Sequence, residues 1–310
     1  ISSHALHQKR VSGVMLDSAV FTNITPEHLD YHHDMGSYLK EKKKIFNNLK
    51  KGGIAVLNAD DPRVAELKNE INCENIITFG INGTADVMAE NISLKSHSTG
   101  FDMVSPVFGR LRINTGLIGI HNVYNILGAA GALADSGIKP EDMKNAVEQV
   151  RPVPGRLETV KSSASFRVFV DYAHTPDALE NVLSCLRPLA SGKLICVFGC
   201  GGDRDRTKRP LMGKIAADLC DSVILTNDNP RTEKPIDILR EIEKGMAGEK
   251  SYSIIEDRET AIRQALLQAD TGSIVLIAGK GHEDYQILGG KTVHFDDRET
   301  AVKILREMGY

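Results

Sequence analysis

Residues 194–204 read LICVFGCGGDR, five apolar residues followed at once by a glycine-rich loop that ends in two charges. An apolar run of this length without polar alternation is typical of a strand buried on both faces of a sheet. Similar runs occur at 166–170, 222–226, 252–256 and 274–278, and helical patterns separate them at 176–189, 209–219, 235–247 and 258–269. This alternation predicts a parallel sheet with helices on both faces, an α/β fold of the Rossmann type.

Polar loops follow four of these strands, at 171–177, 199–206, 227–231 and 279–284. In an open parallel sheet, ligands bind at the carboxyl ends of the strands. One such loop is well explained by the capped start of a helix, but four loops at one edge favour a binding site. We therefore expect the side chains of these loops to converge.

The side chains in these loops indicate what the site binds. Arg204 and Arg231 carry guanidinium groups suited to carboxylate or phosphate, and Asp228 and Glu283 suit an ammonium group. Asn229 adds a neutral donor and acceptor. Two cations and two anions at one edge predict a zwitterion with more than one carboxylate, such as an amino acid. For residues 228–231 alone, a plain turn is the alternative interpretation.

The first half of the chain has a less regular pattern. Strands are expected at 14–21 and 54–57, helices at 37–49, 124–135 and 140–150, and a β meander between 86 and 115. Two prolines and a glycine at 151–155 then mark a linker. Because 310 residues correspond to about two domains, we predict one domain at 1–150 and a second at 151–310.

Composition excludes several classes of protein. The chain is 41% hydrophobic and 25% charged with a net charge of −3, so neither a disordered chain nor a nucleic-acid-binding surface is expected. No apolar run is long enough to cross a membrane. The five cysteines form no CxxC pair and suit buried thiols in a reducing cytoplasm. The first residue is Ile1 rather than methionine, so we expect the chain to be part of a longer protein.

The sequence contains no complete phosphate-binding loop. The pattern GxxxxGK[ST] comes nearest at 290–292, but Tyr285 stands where its first glycine belongs. The loop at 199–202 resembles the start of a dinucleotide fingerprint, but Arg204 replaces the third glycine. A nucleotide-binding or dehydrogenase-like module therefore remains an alternative.

Lys42 lies in the middle of an apolar stripe on the helix expected at 37–49, formed by Tyr38, Ile45, Phe46 and Leu49. Apolar neighbours disfavour the ammonium form, so we expect the pKa of Lys42 to fall and its neutral amine to become reactive. From the residues alone, an ordinary lysine whose stem lies along the stripe is the favoured interpretation. The nearby loop at 25–34 is dense in histidines and carboxylates, including His28, and its composition is compatible with metal binding.

Eight motifs, in order along the chain, resemble those of the Mur ligase family of peptidoglycan synthesis. They are SSHALxQxRV (2–11), TNxTxxHLDYH (22–32), HNVYN (121–125), PGRLE (154–158), VDYAHTPD (170–177), GCGGDR (199–204), DNPR (228–231) and GKGHE (279–283). The resemblance implies part of a central ATPase domain at 1–150 and a Rossmann-like amino-acid-binding domain at 151–310. It further implies a cytoplasmic ligase that forms an amide through an acyl phosphate, with ATP and Mg²⁺ as cofactors.

Site residues follow from the resemblance by position. Lys42, as a carbamate, and His28 match catalytic residues at the metal; Ser2, Gln8 and Arg10 match UDP-sugar-peptide contacts; Asn122, Asn125, Arg156 and Asp171 match ATP contacts. The DNPR motif is typical of the branch that adds meso-diaminopimelate to UDP-N-acetylmuramoyl-L-alanyl-D-glutamate. In that branch the amino-acid site comprises Arg204, Asp228, Asn229, Pro230, Arg231, Gly279 and Glu283.

The resemblance also leaves parts of the family pattern outside the chain. A UDP-binding domain, the phosphate-binding loop and a metal-ligating glutamate are expected before residue 1, so we expect the chain alone not to catalyse ligation. Small-molecule substrates are expected as partners, without nucleic acid or membrane. A lysine-adding ligase and a non-catalytic binding fragment remain alternatives.

Overall fold

In the computed structural model, residues 1–25, 28–246 and 251–310 are described. The chain divides into two compact units, Ile1–Val150 and Arg151–Tyr310. Each unit is a mixed α/β structure built on one six-stranded sheet. Among the described helices, none has the length and apolar character needed to span a bilayer.

The sheet of the first unit has the strand order β1-β2-β3-β4-β5-β6. Strands β1 to β4 are parallel, and β4, β5 and β6 form an antiparallel meander, which confirms the prediction for 86–115. The strands are β1 Leu16–Phe21, β2 Leu49–Asn58, β3 Asn75–Gly80, β4 Val87–Lys95, β5 Ser98–Ser105 and β6 Gly109–Thr115. The helices are α1 Ser3–His7, α2 Leu29–His32, α3 Met35–Lys43, α4 Pro62–Glu66, α5 Ile120–Ala132 and α6 Pro140–Gln149, with 3₁₀ turns at Lys44–Asn48 and Leu67–Asn69.

The predicted bounds of the helix at 37–49 were wrong at both ends. It begins earlier, because the side chain of Asp34 accepts a hydrogen bond from the backbone N–H of Ser37 at 2.8 Å and caps α3. It becomes a 3₁₀ turn at Lys44, and Leu49 already belongs to β2, where it pairs with Leu16 of β1. Pairing of β1 with β2 thus overrides the helical pattern of the sequence. Strand β3 was not predicted from the sequence.

The second unit has the strand order β11-β10-β9-β12-β8-β7, in which only β7 is antiparallel to its neighbour among the described strands. Its strands are β7 Glu158–Val160, β8 Arg167–Asp171, β9 Leu194–Phe198, β10 Ser222–Leu225, β11 Ser251–Ile254 and β12 Ile274–Ala278, with a separate hairpin of β13 Tyr285–Leu288 and β14 Lys291–His294. Its helices are α7 Pro176–Leu186, α8 Lys208–Leu219, α9 Pro235–Glu243, α10 Arg258–Gln268 and α11 Asp297–Glu307, with a 3₁₀ turn at Arg187–Leu189.

The alternation of strands and helices predicted for this unit is confirmed. Strands β9 and β12 are buried along their whole length, as expected for a sheet covered on both faces. Helix α9 ends at Glu243, earlier than predicted, and the last residue of that prediction, 247, lies outside the described residues. The sequence prediction missed β7, the β13–β14 hairpin and α11, which Asp296 caps by accepting a hydrogen bond from Glu299 N at 2.9 Å.

Candidate functional site

The loops after β10, β9, β12 and β8 lie at one edge of the sheet, because these four strands are adjacent and parallel. We call this set of loops (residues 171–177, 199–206, 226–233 and 279–284) the four-loop edge. The loops after β9 and β10 touch directly, since Gly202 N donates to Asn229 O at 2.9 Å. A Cβ on Gly202 would lie 1.9 Å from the carbonyl oxygen of Pro230, so this crossing requires glycine.

The acidic and amide side chains predicted for the site are brought together. Asn229 is buried, and its Nδ2 donates to Glu283 Oε2 at 3.0 Å. Asp228, also buried, has a carboxylate oxygen 3.7 Å from Lys280 Nζ. Gly279 has a φ of +115°, and a Cβ there would lie 2.7 Å from Asp228 Oδ2. The carboxylate therefore packs directly against the bare backbone of the neighbouring loop.

The two predicted arginines border the same glycine. Arg231 has a φ of +53°, and its Nη1 donates to Gly202 O at 2.8 Å. A Cβ on Gly201 would lie 2.8 Å from Arg231 Nη1 and 3.8 Å from Arg204 Cγ. Arg204 is exposed and donates to Asp203 O at 3.2 Å. The guanidinium of Arg231 and the stem of Arg204 thus both lie beside Gly201.

A buried ion-pair network supports the arginine side of the edge. Arg209 is fully buried, donates to both carboxylate oxygens of Glu233 at 2.8 and 3.0 Å, and reaches Glu241 at 2.8 Å. Arg209 also donates to Gly201 O at 3.2 Å, while Glu233 accepts from Asp203 N at 2.6 Å. Hydrogen bonding by Arg209 lowers the pKa of Glu233 to about 2. The network holds the loops after β9 and β10 in one arrangement.

A second buried pair lies beneath the edge. Arg258 and Asp297 are both fully buried and form two hydrogen bonds of 2.7 Å. The guanidinium also donates to Asn227 O and Ala278 O, each at 3.1 Å. Asn227 lies in the loop after β10 and Ala278 is the last residue of β12, so one side chain ties this loop and the end of β12 to α11.

The candidate ATP residues of the second unit lie beside the other two loops. Asp171, at the end of β8, accepts hydrogen bonds from Leu157 N at 2.6 Å and Ala173 N at 2.8 Å. Burial raises the pKa of Asp171, and these two hydrogen bonds oppose the shift. Arg156 is exposed, and its guanidinium carbon lies 5.1 Å from the centre of the Tyr172 ring.

In the first unit, Lys42 lies among aromatic rings. Its Nζ is 3.4 Å from Tyr38 Oη, and 5.4 Å and 5.7 Å from the ring centres of Tyr38 and Phe21. The side chain is partly buried. The predicted helical stripe was wrong, because α3 ends at Lys43 and Leu49 belongs to β2; Phe21 of β1 lies beside Lys42 with Tyr38. The ring of His28 is 6.5 Å from the same tyrosine ring, so Tyr38 lies next to both candidate catalytic residues.

Around His28 is a group of rings that we call the histidine cluster, consisting of His4, His7, His28, His32 and Tyr31. The ring centres of neighbouring members are 4.2 to 6.2 Å apart. His32 is buried, its Nε2 lies 2.9 Å from Ser3 Oγ, and burial, followed by the charges of His4 and His7, lowers its pKa. Within the described ranges, no three histidine, cysteine or acidic side chains are placed to hold a metal ion.

The candidate UDP contacts lie at the start of the chain. The side chain of Ser2 caps α1 by accepting from Ala5 N at 3.2 Å, and Gln8 Nε2 lies 3.5 Å from Tyr31 Oη. Arg10 is exposed. The candidate ATP contacts of this unit lie at the start of α5, where Asn125 Nδ2 donates to Asn122 Oδ1 at 3.3 Å and Asn122 Nδ2 donates to Ile118 O at 2.8 Å.

Sequence patterns missed the residues that support the edge. Lys280 belongs to the GKGHE motif at 279–283, but nothing in the spacing of that motif indicated that the ammonium group would be buried. Arg258 and Asp297 are separated by 39 residues, and Arg209 and Glu233 by 24. Arginine at the start of a helix is ordinarily a solvated charge, so only tertiary structure reveals these pairs.

Comparison with known proteins identifies the class. Residues 1–133 match the Mur ligase middle domain, and residues 155–281 match the family described as Mur ligase, glutamate ligase domain. These matches cover most of the chain and agree with the two units. The chain belongs to the Mur ligase family.

Two curated relatives carry the name UDP-N-acetylmuramoyl-L-alanyl-D-glutamate–2,6-diaminopimelate ligase. The protein of Geobacillus thermodenitrificans is 48% identical over 99% of this chain, and that of Halalkalibacterium halodurans is 47% identical over 99%. A solved structure with the same name aligns over 100% of this chain with a TM-score of 0.68 and 36% identity. The chain spans 63–64% of the length of these proteins.

Proposed function

We propose that the chain belongs to an ATP-dependent ligase that adds meso-diaminopimelate to UDP-N-acetylmuramoyl-L-alanyl-D-glutamate through an acyl phosphate. The reaction would take place in the cytoplasm and serve peptidoglycan synthesis and cell-wall formation. The main observation in support is the four-loop edge, where two arginines border one glycine and Asn229 links the two acidic loops. The names of the 47–48% identical relatives support the same substrates.

In this proposal the amino-acid site divides by charge. Arg204 and Arg231 bind a carboxylate of the incoming amino acid, because guanidinium groups form paired hydrogen bonds with carboxylates. Asp228 and Glu283 bind an ammonium group, and Asn229 orients Glu283. Gly279 and Pro230 complete the site through their backbone, which lies against Asp228 and Gly202 respectively.

The remaining assignments concern the other substrates. Asn122 and Asn125 in the first unit, and Arg156 and Asp171 in the second, are proposed to contact ATP, and Ser2, Gln8 and Arg10 to contact the UDP-linked acceptor. The described parts of the chain contain no group of three metal-ligating side chains. Since Lys42 and His28 both lie next to Tyr38, a Lys42 carbamate and His28 would supply two ligands for Mg²⁺, and the bound ion would neutralise phosphate charge.

The amino-acid assignment is tested by calorimetry of this chain with meso-diaminopimelate and with L-lysine. We expect tighter binding of meso-diaminopimelate, because lysine lacks the second carboxylate that the arginines recognise. Arg231→Ala should weaken binding of meso-diaminopimelate at least tenfold, since it removes a charge-assisted contact. Arg240→Ala, on the exposed side of α9, is the matched control and should bind as the wild type does.

The alternatives give opposite results in the same experiment. Tighter binding of lysine would favour a lysine-adding ligase. Unchanged affinity in Arg231→Ala would remove that residue from the site. A dehydrogenase-like module would instead change the fluorescence of NADH on titration.

A further inference from the structure

The ammonium group of Lys280 is a buried cation at the centre of the four-loop edge. The side chain has no exposed surface, and its Nζ donates to Tyr285 O at 2.6 Å and to Asn229 Oδ1 at 3.2 Å. Two carboxylate oxygens lie close to it, Asp228 Oδ1 at 3.7 Å and Glu283 Oε2 at 3.9 Å. Burial lowers the pKa of Lys280, and the charge of Asp228 acts in the opposite direction.

Lys280 first affects the orientation of Asn229. The Oδ1 atom of Asn229 accepts from Lys280 Nζ and also from Ile287 N at 2.9 Å. Rotating the amide by half a turn would bring its NH₂ group against both donors, so the amide cannot flip without losing two hydrogen bonds. Its Nδ2 therefore points to Glu283 Oε2, and the carboxylate of Glu283 is held in one position.

Lys280 also sets the charge of this part of the site. Asp228 and Glu283 contribute two negative charges, and Lys280 leaves a net charge of −1. One ligand ammonium neutralises that charge. Without Lys280 the net charge of these residues would be −2, which would disfavour the carboxylates of a ligand and so favour an amino acid with one carboxylate over one with two. At neutral pH, L-lysine carries a net charge of +1, whereas meso-diaminopimelate, with two ammonium and two carboxylate groups, carries none.

We propose that Lys280 is a specificity-determining positioning residue: it fixes Asn229 and Glu283 and reduces the negative charge of the site, so that a dicarboxylic diamine is preferred over a monocarboxylic one. The inference rests on the proposed function. The arginines select against lysine by binding the second carboxylate. Lys280 adds to this selection as a buried cation that need not touch the ligand.

The experiment compares Lys280→Met and Lys280→Gln with the wild type by calorimetry with meso-diaminopimelate and L-lysine. Methionine removes charge and donor, whereas glutamine can keep a hydrogen bond to Tyr285 O and so guards against misfolding. In both variants the preference for meso-diaminopimelate over lysine should fall at least tenfold, as expected from loss of a charged hydrogen-bond donor. Lys214→Met is the control, since Lys214 is exposed and pairs only with Asp218 among the described residues; its preference should equal that of the wild type.

A double-mutant cycle separates positioning from general damage. If Lys280 acts through Asn229, then Lys280→Gln in an Asn229→Ala background should reduce affinity for meso-diaminopimelate less than it does alone. Thermal unfolding of each variant shows whether the fold is retained.

The outcomes distinguish the two proposals. If the wild type binds neither amino acid, the proposed function fails and the inference fails with it. If the wild type prefers meso-diaminopimelate and a folded Lys280→Gln keeps the same preference, only the inference is overturned. Equal losses in both backgrounds of the cycle would show that Lys280 does not act through Asn229 and would also overturn it.

Discussion

The four-loop edge and the histidine cluster hold their candidate residues in different ways. At the four-loop edge, buried side chains of opposite charge and backbone hydrogen bonds fix the loops: Arg258 pairs with Asp297, and Arg209 with Glu233. In the histidine cluster, the contacts are mainly between rings, and the candidate UDP contacts Ser2 and Gln8 near it are exposed.

The contrast predicts which substitutions will lower the free energy of unfolding. A site supported by buried ion pairs is preorganised, so loss of a supporting residue costs stability as well as binding. A partly exposed group of rings contributes less to folding, so substitution there affects chemistry more than stability. The following predictions test that contrast through the free energy of unfolding.

The largest effect is expected for Arg258→Met. It leaves Asp297 as an unpaired buried charge and removes the donors to Asn227 O and Ala278 O, so the free energy of unfolding should fall by about 3–5 kcal/mol. Chemical denaturation measures this loss. Arg263→Met, on the same helix, breaks an ion pair with Glu307 whose partners are 36% and 45% exposed, and should cost less than about 1 kcal/mol. Equal losses in the two variants would contradict the prediction.

Glu233→Gln should have an intermediate effect of about 2 kcal/mol at neutral pH, because Arg209 keeps Glu241 as a partner. The pKa of Glu233 is lowered from 4.5 to about 2, mainly by hydrogen bonding to Arg209. Its stabilising contribution is therefore present above pH 4.5 and is lost as the pH falls through about 2.

Denaturation of wild type and Glu233→Gln across this pH range checks the effect. The difference between the two proteins should shrink as the pH falls below 4.5. Glu259→Gln, which removes an exposed partner of Lys303, is the control and should differ little from the wild type at any pH. A constant difference between Glu233→Gln and wild type would refute the assignment.

The smallest effect on stability is expected from substitution of Lys42, which lies near the histidine cluster. Lys42→Met should change the free energy of unfolding by less than about 1 kcal/mol, since it loses contacts with two aromatic rings at a partly exposed site. The same variant should lose the carbamate signal that ¹³C-bicarbonate gives in an NMR spectrum of the wild type. Lys40→Met, an exposed lysine on the same helix, should keep the signal. A signal that survives in Lys42→Met would assign the modification elsewhere.

The sequence predicted the strand pattern of the second unit well, because buried parallel strands such as β9 and β12 are continuous apolar runs. It also predicted which loops share an edge, since that follows from strand direction alone. The convergence of Asp228, Asn229 and Glu283 could thus be predicted from the sequence alone. The first unit was harder: β3 is short, and the end of α3 is decided by pairing of Leu49 with Leu16.

The supports of the site were not predictable from sequence. A lysine after a strand is ordinarily solvated, and only the approach of Asp228, Asn229 and Tyr285 shows that Lys280 is enclosed. Likewise, an arginine and an aspartate at the starts of two helices carry no signal that they pair. Burial of charge depends on contacts between segments that are distant in sequence, and local patterns do not record such contacts.

The Arg258–Asp297 pair also has a consequence for biosynthesis. Arg258 is translated 39 residues before its carboxylate partner. A nascent chain that has not yet reached Asp297 would have to bury a lone guanidinium in order to close the loop after β10 against the end of β12, at a cost of several kcal/mol. The ribosome must therefore deliver the start of α11 before the four-loop edge can take its final form.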